Sequence, residues 1–400
     1  MENVSRRGFL KKSMLVTSGS LLMPQFLKAL QHPLAYQGGN TQDRILIILQ
    51  LSGGNDGLNT IVPYRNDLYY QMRPTLGIRK ETVLRVSDEL GFNPALASLQ
   101  ELYDEGAMSI INNVGYPNPE RSHFRSMDIW QTASGSDEYL STGWIGRYLD
   151  SNCSGCGAHT GVEIDDTLSL AMRGKSVKGM AIKDPAKLYH ATQSTLFKTL
   201  SESHSDEPTI EYLYKTIAET VSNAAYIYDR SKVVSAKQEY PNNDFSKRLK
   251  TISELIQSGI STRVYYASLS GFDTHVRQAG QQERLLTMYA DAVRALVKDL
   301  KSTGNFERTL IMTFSEFGRR VEENASAGTD HGTANNLFLI GGKLKTRGFY
   351  NQTPDLNKLD QGDLIYEIDF RQIYSTILRN WLGTDSTSIM GQTFNAIPLI

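Results

Sequence analysis

The chain has 400 residues, 42 of them Lys or Arg and 43 Asp or Glu, for a formal net charge of −1 at neutral pH. A balance this even predicts no nucleic acid partner and no strongly charged macromolecular substrate. The length is that of one large or two modest domains, and it can bury about three quarters of its extended surface without a disulfide or metal simply to fold.

Residues 1–38 read as a targeting segment. Ser5-Arg6-Arg7-Gly8-Phe9-Leu10-Lys11-Lys12 is followed by a moderately apolar stretch at 14–23 that ends at Pro24. A charged region followed by an apolar one is the order of an export signal. The paired arginines point to the twin-arginine translocase as a transient partner and to a periplasmic or extracellular destination. Thr17, Ser18, Gly19 and Ser20 interrupt the apolar run, so it is too short and too polar for a stable membrane span. Cleavage is expected between Leu27 and Gly38. The competing reading is a basic N-terminal helix of a cytosolic protein.

In the remaining chain (39–400), residues 43–51 read DRILIILQL, a buried strand candidate that runs into Ser52-Gly53-Gly54-Asn55-Asp56-Gly57. A strand entering a glycine-rich turn is where open α/β sheets place ligands. A helix is predicted at 94–104, a strand at 107–113, and helices at 121–133 and 144–150. Cys153 and Cys156 follow, spaced C-x-x-C, and form either a small-loop disulfide or a free pair. The stretch 158–190 reads as a sheet extension or a surface excursion. Residues 206–258 read as charged and helical, a candidate insert or cap over the core. A strand at 263–269 precedes a long amphipathic helix at 281–302, on which Leu285, Tyr289, Ala292, Val293, Leu296 and Leu300 share one face. Strands at 309–314 and 336–340 and a final helix at 370–382, stopped by Gly383, complete the chain. This rhythm favours a mostly parallel sheet with helices on both faces.

Acids and histidines gather at the ends of these strands. Asp56 follows the first; Asp273 and His275 follow 263–269; Glu316 ends 309–314; Asp330 and His331 precede 336–340. Strand ends of a parallel sheet share one edge, so these distant positions can converge there. Carboxylates and imidazoles are ligands of divalent metals. Each also has a plain structural role open to it. Asp56 can cap a turn, Asp273 can hold its loop or cap the next helix, Glu316 and Arg319 can pair, and His331 can be a hydrogen-bonded core histidine. Arg319 and Arg125 are candidates to grip an anion. Ser122, at the predicted start of a helix, is either a nucleophile or an ordinary N-cap. Its neighbour His123 is an acid, a base or a packing residue.

The segments QLSGGNDGLNTIVPY (50–64), RSHFRSMDIWQTA (121–133), GFDTH (271–275), TFSEFGRRVEENASAGTDHGTANNLFLIGG (313–342) and DFRQIYSTILRNWLG (369–383) occur in an order that resembles the DUF1501 family of exported proteins. That family sits in the alkaline phosphatase-like superfamily. The resemblance implies a three-layer α/β/α core and a site for two divalent metals serving phosphate or sulfate ester hydrolysis. Asp56 then matches the acid after the first strand, Ser122 the nucleophile, and Asp273 and His275 the acid and histidine before the long helix. Glu316 stands for the acid of a later acid–histidine pair and His331 for the final histidine; in another registration Asp330-His331 is itself that pair. The chain departs from the pattern in lacking a histidine beside Glu316, so one or two ions, zinc, manganese or calcium, are expected. A non-catalytic, metal-stabilised binding or envelope-assembly protein is the alternative. A lyase or transferase acting on an envelope glycan is a third reading.

Overall fold

The computed structural model describes residues 43–152 and 157–400. The expectations for the targeting segment at 1–38 and for the Cys153–Cys156 pair lie outside the described residues. A nine-stranded sheet organises the molecule. Its strands are β1 (Ile45–Ser52), β2 (Met108–Gly115), β3 (Gly161–Glu163), β4 (Met180–Ala181), β5 (Val264–Ser270), β6 (Thr309–Phe314), β7 (Asn335–Gly341), β8 (Gly348–Phe349) and β9 (Ile368–Asp369). They lie in the order β8-β2-β7-β6-β1-β5-β3-β4, with β9 also on β2. All pair in parallel except β7, which runs against both β6 and β2.

β1 lies centrally, and its composition shows why. Ile45, Ile47, Leu49 and Leu51 enter one apolar cluster, whereas Leu46 and Ile48 enter another. Alternate side chains leave opposite faces of a strand, so a strand covered on both faces needs apolar residues throughout. Gln50, polar but buried, accepts a hydrogen bond from Tyr266 Oη at 2.5 Å.

Helices cover both faces. They are α1 (Ala97–Asp104), α2 (His123–Thr132), α3 (Trp144–Asn152), α4 (Pro208–Ser231), α5 (Asp244–Gln257), α6 (Gln278–Ser302) and α7 (Phe370–Thr376). α1, α5 and α6 pack with the odd side of β1. α2, α3 and α7 pack with the even side. The result is the three-layer α/β/α core that the resemblance implies. The 206–258 segment forms α4 and α5, and α5 buries Phe245, Leu249, Ile252, Leu255 and Ile256 in the same cluster as α6. That helix is therefore part of the core layer. The 158–190 stretch extends the sheet through β3 and β4. No helix among the described residues is long and apolar enough to cross a membrane.

Two packing features position the site. The Trp130 ring of α2 stacks between Phe314 at the end of β6 (4.8 Å) and Phe370 (4.3 Å). This ties the last turn of α2 to the end of β6. The reversed direction of β7 places its entry loop, 329–334, at the edge where β1, β5 and β6 end.

Candidate metal centre

Four segments meet at that edge. β5 leads into Asp273 and His275, β6 into Glu316, the β7 entry loop carries Asp330 and His331, and α2 begins with His123. The glycine turn after β1 makes room for them. Gly53 has φ +119°, and a Cβ there would lie 2.4 Å from the Asp273 nitrogen. Gly54 has φ +70°, and its Cβ would strike the Phe317 ring at 2.2 Å. Only glycine combines this backbone with so close an approach. Gly53 N–H donates to Glu316 Oε1 at 2.8 Å, tying the turn to the loop after β6.

Asp273 Oδ1 is the point of convergence. His275 Nε2 lies 3.0 Å from it, His331 Nε2 3.2 Å and His123 Nε2 3.4 Å. His275 Nε2 and His331 Nε2 are 2.9 Å apart. The opposite nitrogen of each ring is anchored: His123 Nδ1 on Glu316 Oε1 (2.9 Å), His275 Nδ1 on Asp330 Oδ1 (3.0 Å), and His331 Nδ1 on the Arg121 carbonyl (2.7 Å). A carbonyl oxygen only accepts, so His331 Nδ1 carries hydrogen and its neutral ring presents a lone pair at Nε2. That lone pair faces a carboxylate oxygen, which also only accepts. His123 Nε2 is buried and has no hydrogen-bond partner among the described residues. Nitrogen and oxygen lone pairs turned toward one point form a donor set matched to a cation. The four separations just given, 2.9–3.4 Å, are near the distance between two ligand atoms bound about 2.0 Å from one tetrahedral ion. Ring nitrogens fixed from behind by carboxylates or a carbonyl are the usual support of metal-binding histidines. The ligand atoms of His123, Asp273 and His331 all lie within 4.8 Å of one another, and the group can hold a metal ion.

The electrostatics follow this geometry. Partial burial opposes ionisation of Asp273, but the hydrogen bond from Arg319 and the charges of Arg319 and His123 outweigh it and hold the carboxyl well below the usual range. The hydrogen bond to Glu316 raises the His123 pKa against the effect of burial. Burial lowers that of His331, which favours the neutral, lone-pair form. The hydrogen bond from His275, then that from Asn324, lowers the pKa of Asp330.

The expected site residues divide between this cluster and its supports. Asp273, His275 and His331 form it, His123 joins it, and Glu316 and Asp330 hold rings from behind. Asp56 lies elsewhere: it is buried, ion-paired to Arg73 Nη1 at 2.6 Å and bonded by Gln278 Nε2 at 2.5 Å. Arg319, expected to grip an anion, is only 2% exposed. Its guanidinium instead binds the carbonyls of Gly53, Gly54, Phe272 and Thr329 and the Asp273 carboxylate, because three loops bring acceptors around it. Arg125, expected in the same role, binds the carbonyls of Gly135, Ser136 and Glu138 and lies over Tyr139 at 3.8 Å. Ser122 stands at the N-terminus of α2 with extended backbone, exposed, and makes no capping bond through its side chain. Where the superfamily pattern has a histidine beside the acid, Phe317 stands, packed on the rings of His123 (4.8 Å) and His331 (4.9 Å). Arg73 and Gln278 carry no motif of their own, and only their partners reveal what they do. Arg121 and His123 both lie inside the RSHFR segment singled out above.

No curated protein matches the chain in sequence. Among solved structures, the chain is similar to a protein of the alkaline phosphatase superfamily from Vibrio parahaemolyticus at 11% identity, with TM-score 0.43 over 89% of this chain and 70% of that one. It is also similar to the C-terminal periplasmic domain of EcEptC from Escherichia coli (11%, TM-score 0.40, 89% and 92%). A third is the lipoteichoic acid synthase LtaP from Listeria monocytogenes (10%, TM-score 0.40, 89% and 74%). The family described as protein of unknown function DUF1501 matches residues 159–396, more than half of the sequence. The chain belongs to the DUF1501 family.

Proposed function

We propose that this protein is an exported hydrolase of phosphate or sulfate esters that works with a divalent metal held by His123, Asp273, His275 and His331. One observation carries the reading: the Nε2 atoms of three rings converge on Asp273 Oδ1 while every Nδ1 is anchored from behind. When bound, the cation supplies Lewis acidity toward the ester and its attacking oxygen. Three imidazoles with one carboxylate favour zinc or manganese over calcium, which prefers an all-oxygen shell. A single centre is preferred because Asp56, expected among the ligands, is instead ion-paired to Arg73.

The protein's own groups divide the remaining work. Ser122 keeps a hydroxyl free of capping at a helix N-terminus, where the dipole steadies a developing oxyanion, and we assign it as the nucleophile. Glu316 and the Arg121 carbonyl keep the His123 and His331 rings aligned. Arg319 holds the Asp273 carboxylate in place. Beside Glu316 and Phe317 lies a pocket of about 320 Å³, lined in part by Tyr116, Trp130, Ile365 and Tyr366, with room for the organic part of the ester. The charged and then apolar run at 5–23 supports export.

The test is elemental analysis of protein purified from the exported fraction, followed by turnover of phosphate and sulfate esters with zinc, manganese or calcium. Asp273→Asn and His331→Ala are expected to lose both metal and turnover. Ser122→Ala is expected to keep the metal and lose turnover. Retained metal with no turnover of any ester by the wild type would replace this reading with that of a metal-stabilised binding or assembly protein.

A further inference from the structure

On the solvent side of His275 and His331 lies an open cleft of about 390 Å³, lined by Arg121, His275, Arg320, Asp330, His331 and Gln361. Its two arginines come from different loops and share one counter-ion. Arg121 donates to Asp363 Oδ2 through Nε at 2.9 Å and through Nη2, and Arg320 Nε lies 3.3 Å from Asp363 Oδ1. Asp363 is fully buried, whereas the arginine side chains are 44% and 41% exposed. Arg320 Nη2 is further fixed on the Gln361 carbonyl. Each guanidinium is thus held along one edge, and its Nη1 group has no partner among the described residues.

The cleft's other acid, Asp330, is hydrogen-bonded by His275 Nδ1 and Asn324 Nδ2 and not by either arginine, so the two guanidiniums share Asp363 at the rim of a cleft walled by His275 and His331. Arg121 also belongs to both parts, since its carbonyl orients His331 while its side chain faces the cleft. Guanidinium groups are suited to tetrahedral oxyanions because their fixed, planar donors match two oxygens at once. Tethering them in advance lowers the ordering cost on binding.

We infer that Arg121 and Arg320, held by Asp363, form the subsite that grips the non-bridging oxygens of the substrate's phosphate or sulfate group. The inference rests on the ester hydrolase reading and supplies its anion-binding residues, in place of Arg125 and Arg319. Asp363 is a positioning residue that keeps the guanidiniums apart and aimed at the cleft.

The test uses the full chain loaded with zinc and calorimetric titration with inorganic phosphate and, in parallel, sulfate. Arg121→Gln and Arg320→Gln are each expected to weaken anion binding about ten- to a hundredfold, the loss typical of a charge-assisted hydrogen bond. Zinc content should stay at the wild-type level, whereas the melting temperature should fall somewhat in each variant because buried Asp363 loses one of its two partners. Arg320→Lys, which keeps the charge but not the planar fork, should recover part of the affinity. The anion whose affinity depends on both arginines names the ester class. Wild-type affinity in both glutamine variants would overturn the inference, as would wild-type protein that binds neither anion at millimolar concentration. Equal loss of zinc and anion would also overturn it, since the arginines would then be holding the metal loops. These binding readouts do not require turnover, so the subsite can fail while the hydrolase reading stands, and the reverse.

Discussion

Asp273 illustrates how one side chain depends on its surroundings. Its Oδ1 receives Arg319 Nη2 at 2.7 Å and stands within 3.4 Å of three imidazole nitrogens. Without Arg319 the carboxylate would still face the rings but would lose the strongest of the interactions that lower its pKa. A different acid, Glu163 on β3, shows the opposite environment. It is buried, with Ser169 N–H donating to it at 2.7 Å, and desolvation raises its pKa to about 7 against a backbone hydrogen bond that acts to lower it. In the unfolded chain this group titrates near 4.5, so between about pH 4.5 and 7 the folded protein holds the extra proton. Its contribution is therefore complete below that window and is lost as pH rises through it, by about 3 kcal/mol in all. Glu163→Gln should keep the bond from Ser169 and flatten this decline. Denaturant titrations at pH 5 and pH 8 measure it, and an unchanged difference between the two pH values would show that Glu163 does not carry the effect.

At the scale of elements, the glycine turn after β1 matters as much as the ligands. Gly53 bonds Glu316 through its N–H and Arg319 through its carbonyl, and its left-handed backbone lets Asp273 approach. Gly53→Ala must shift either the turn or the loop after β5. Because a support behind the ligands moves, zinc affinity is expected to fall about ten- to a hundredfold even though no ligand is changed. A competition titration against a chromogenic chelator would read it, and wild-type affinity would count against the turn as a support. Helix limits carry a related lesson. The apolar periodicity of α6 is plain from Leu285 onward, yet the helix begins at Gln278, after Arg277 in the left-handed region with no side-chain cap. The start is set from outside, by Gln278 N–H on the Ala327 carbonyl and by the Gln278 side chain on Asp56 and Thr329. Likewise the last helix, which reads as continuous over 370–382, widens to a π turn at Ile377–Trp381, where the Trp381 indole donates to the Ile45 carbonyl at 2.9 Å.

For the molecule as a whole, a metal at this edge would join β5, β6, the entry to β7 and the start of α2, segments far apart in sequence. Binding to the folded state alone adds stability by mass action, about 2.7 kcal/mol at a zinc concentration a hundred times Kd. The melting temperature should therefore climb with zinc, fall back with chelator, and respond to neither in His331→Ala. Scanning calorimetry across a zinc series tests this, and a wild-type melting temperature indifferent to zinc would remove the metal from the account. The layered core was legible from the sequence, because strands covered on both faces must be apolar throughout, as in 45–49, and because helix faces repeat every three or four residues. That Asp273, His275 and Glu316 share one edge was legible too, since each follows the end of a strand, whereas His331 precedes its strand and reaches that edge because β7 is antiparallel. The sequence alone thus determined the layers, through local periodicity, and singled out several of the side chains that meet at this edge. Only the tertiary structure decided that β7 runs backward, that Asp56 belongs to Arg73, that Arg319 is a buried strut and that His123 completes the cluster. Each of those outcomes is a pairing between residues distant in the chain, and no local pattern encodes which carboxylate a buried guanidinium will reach.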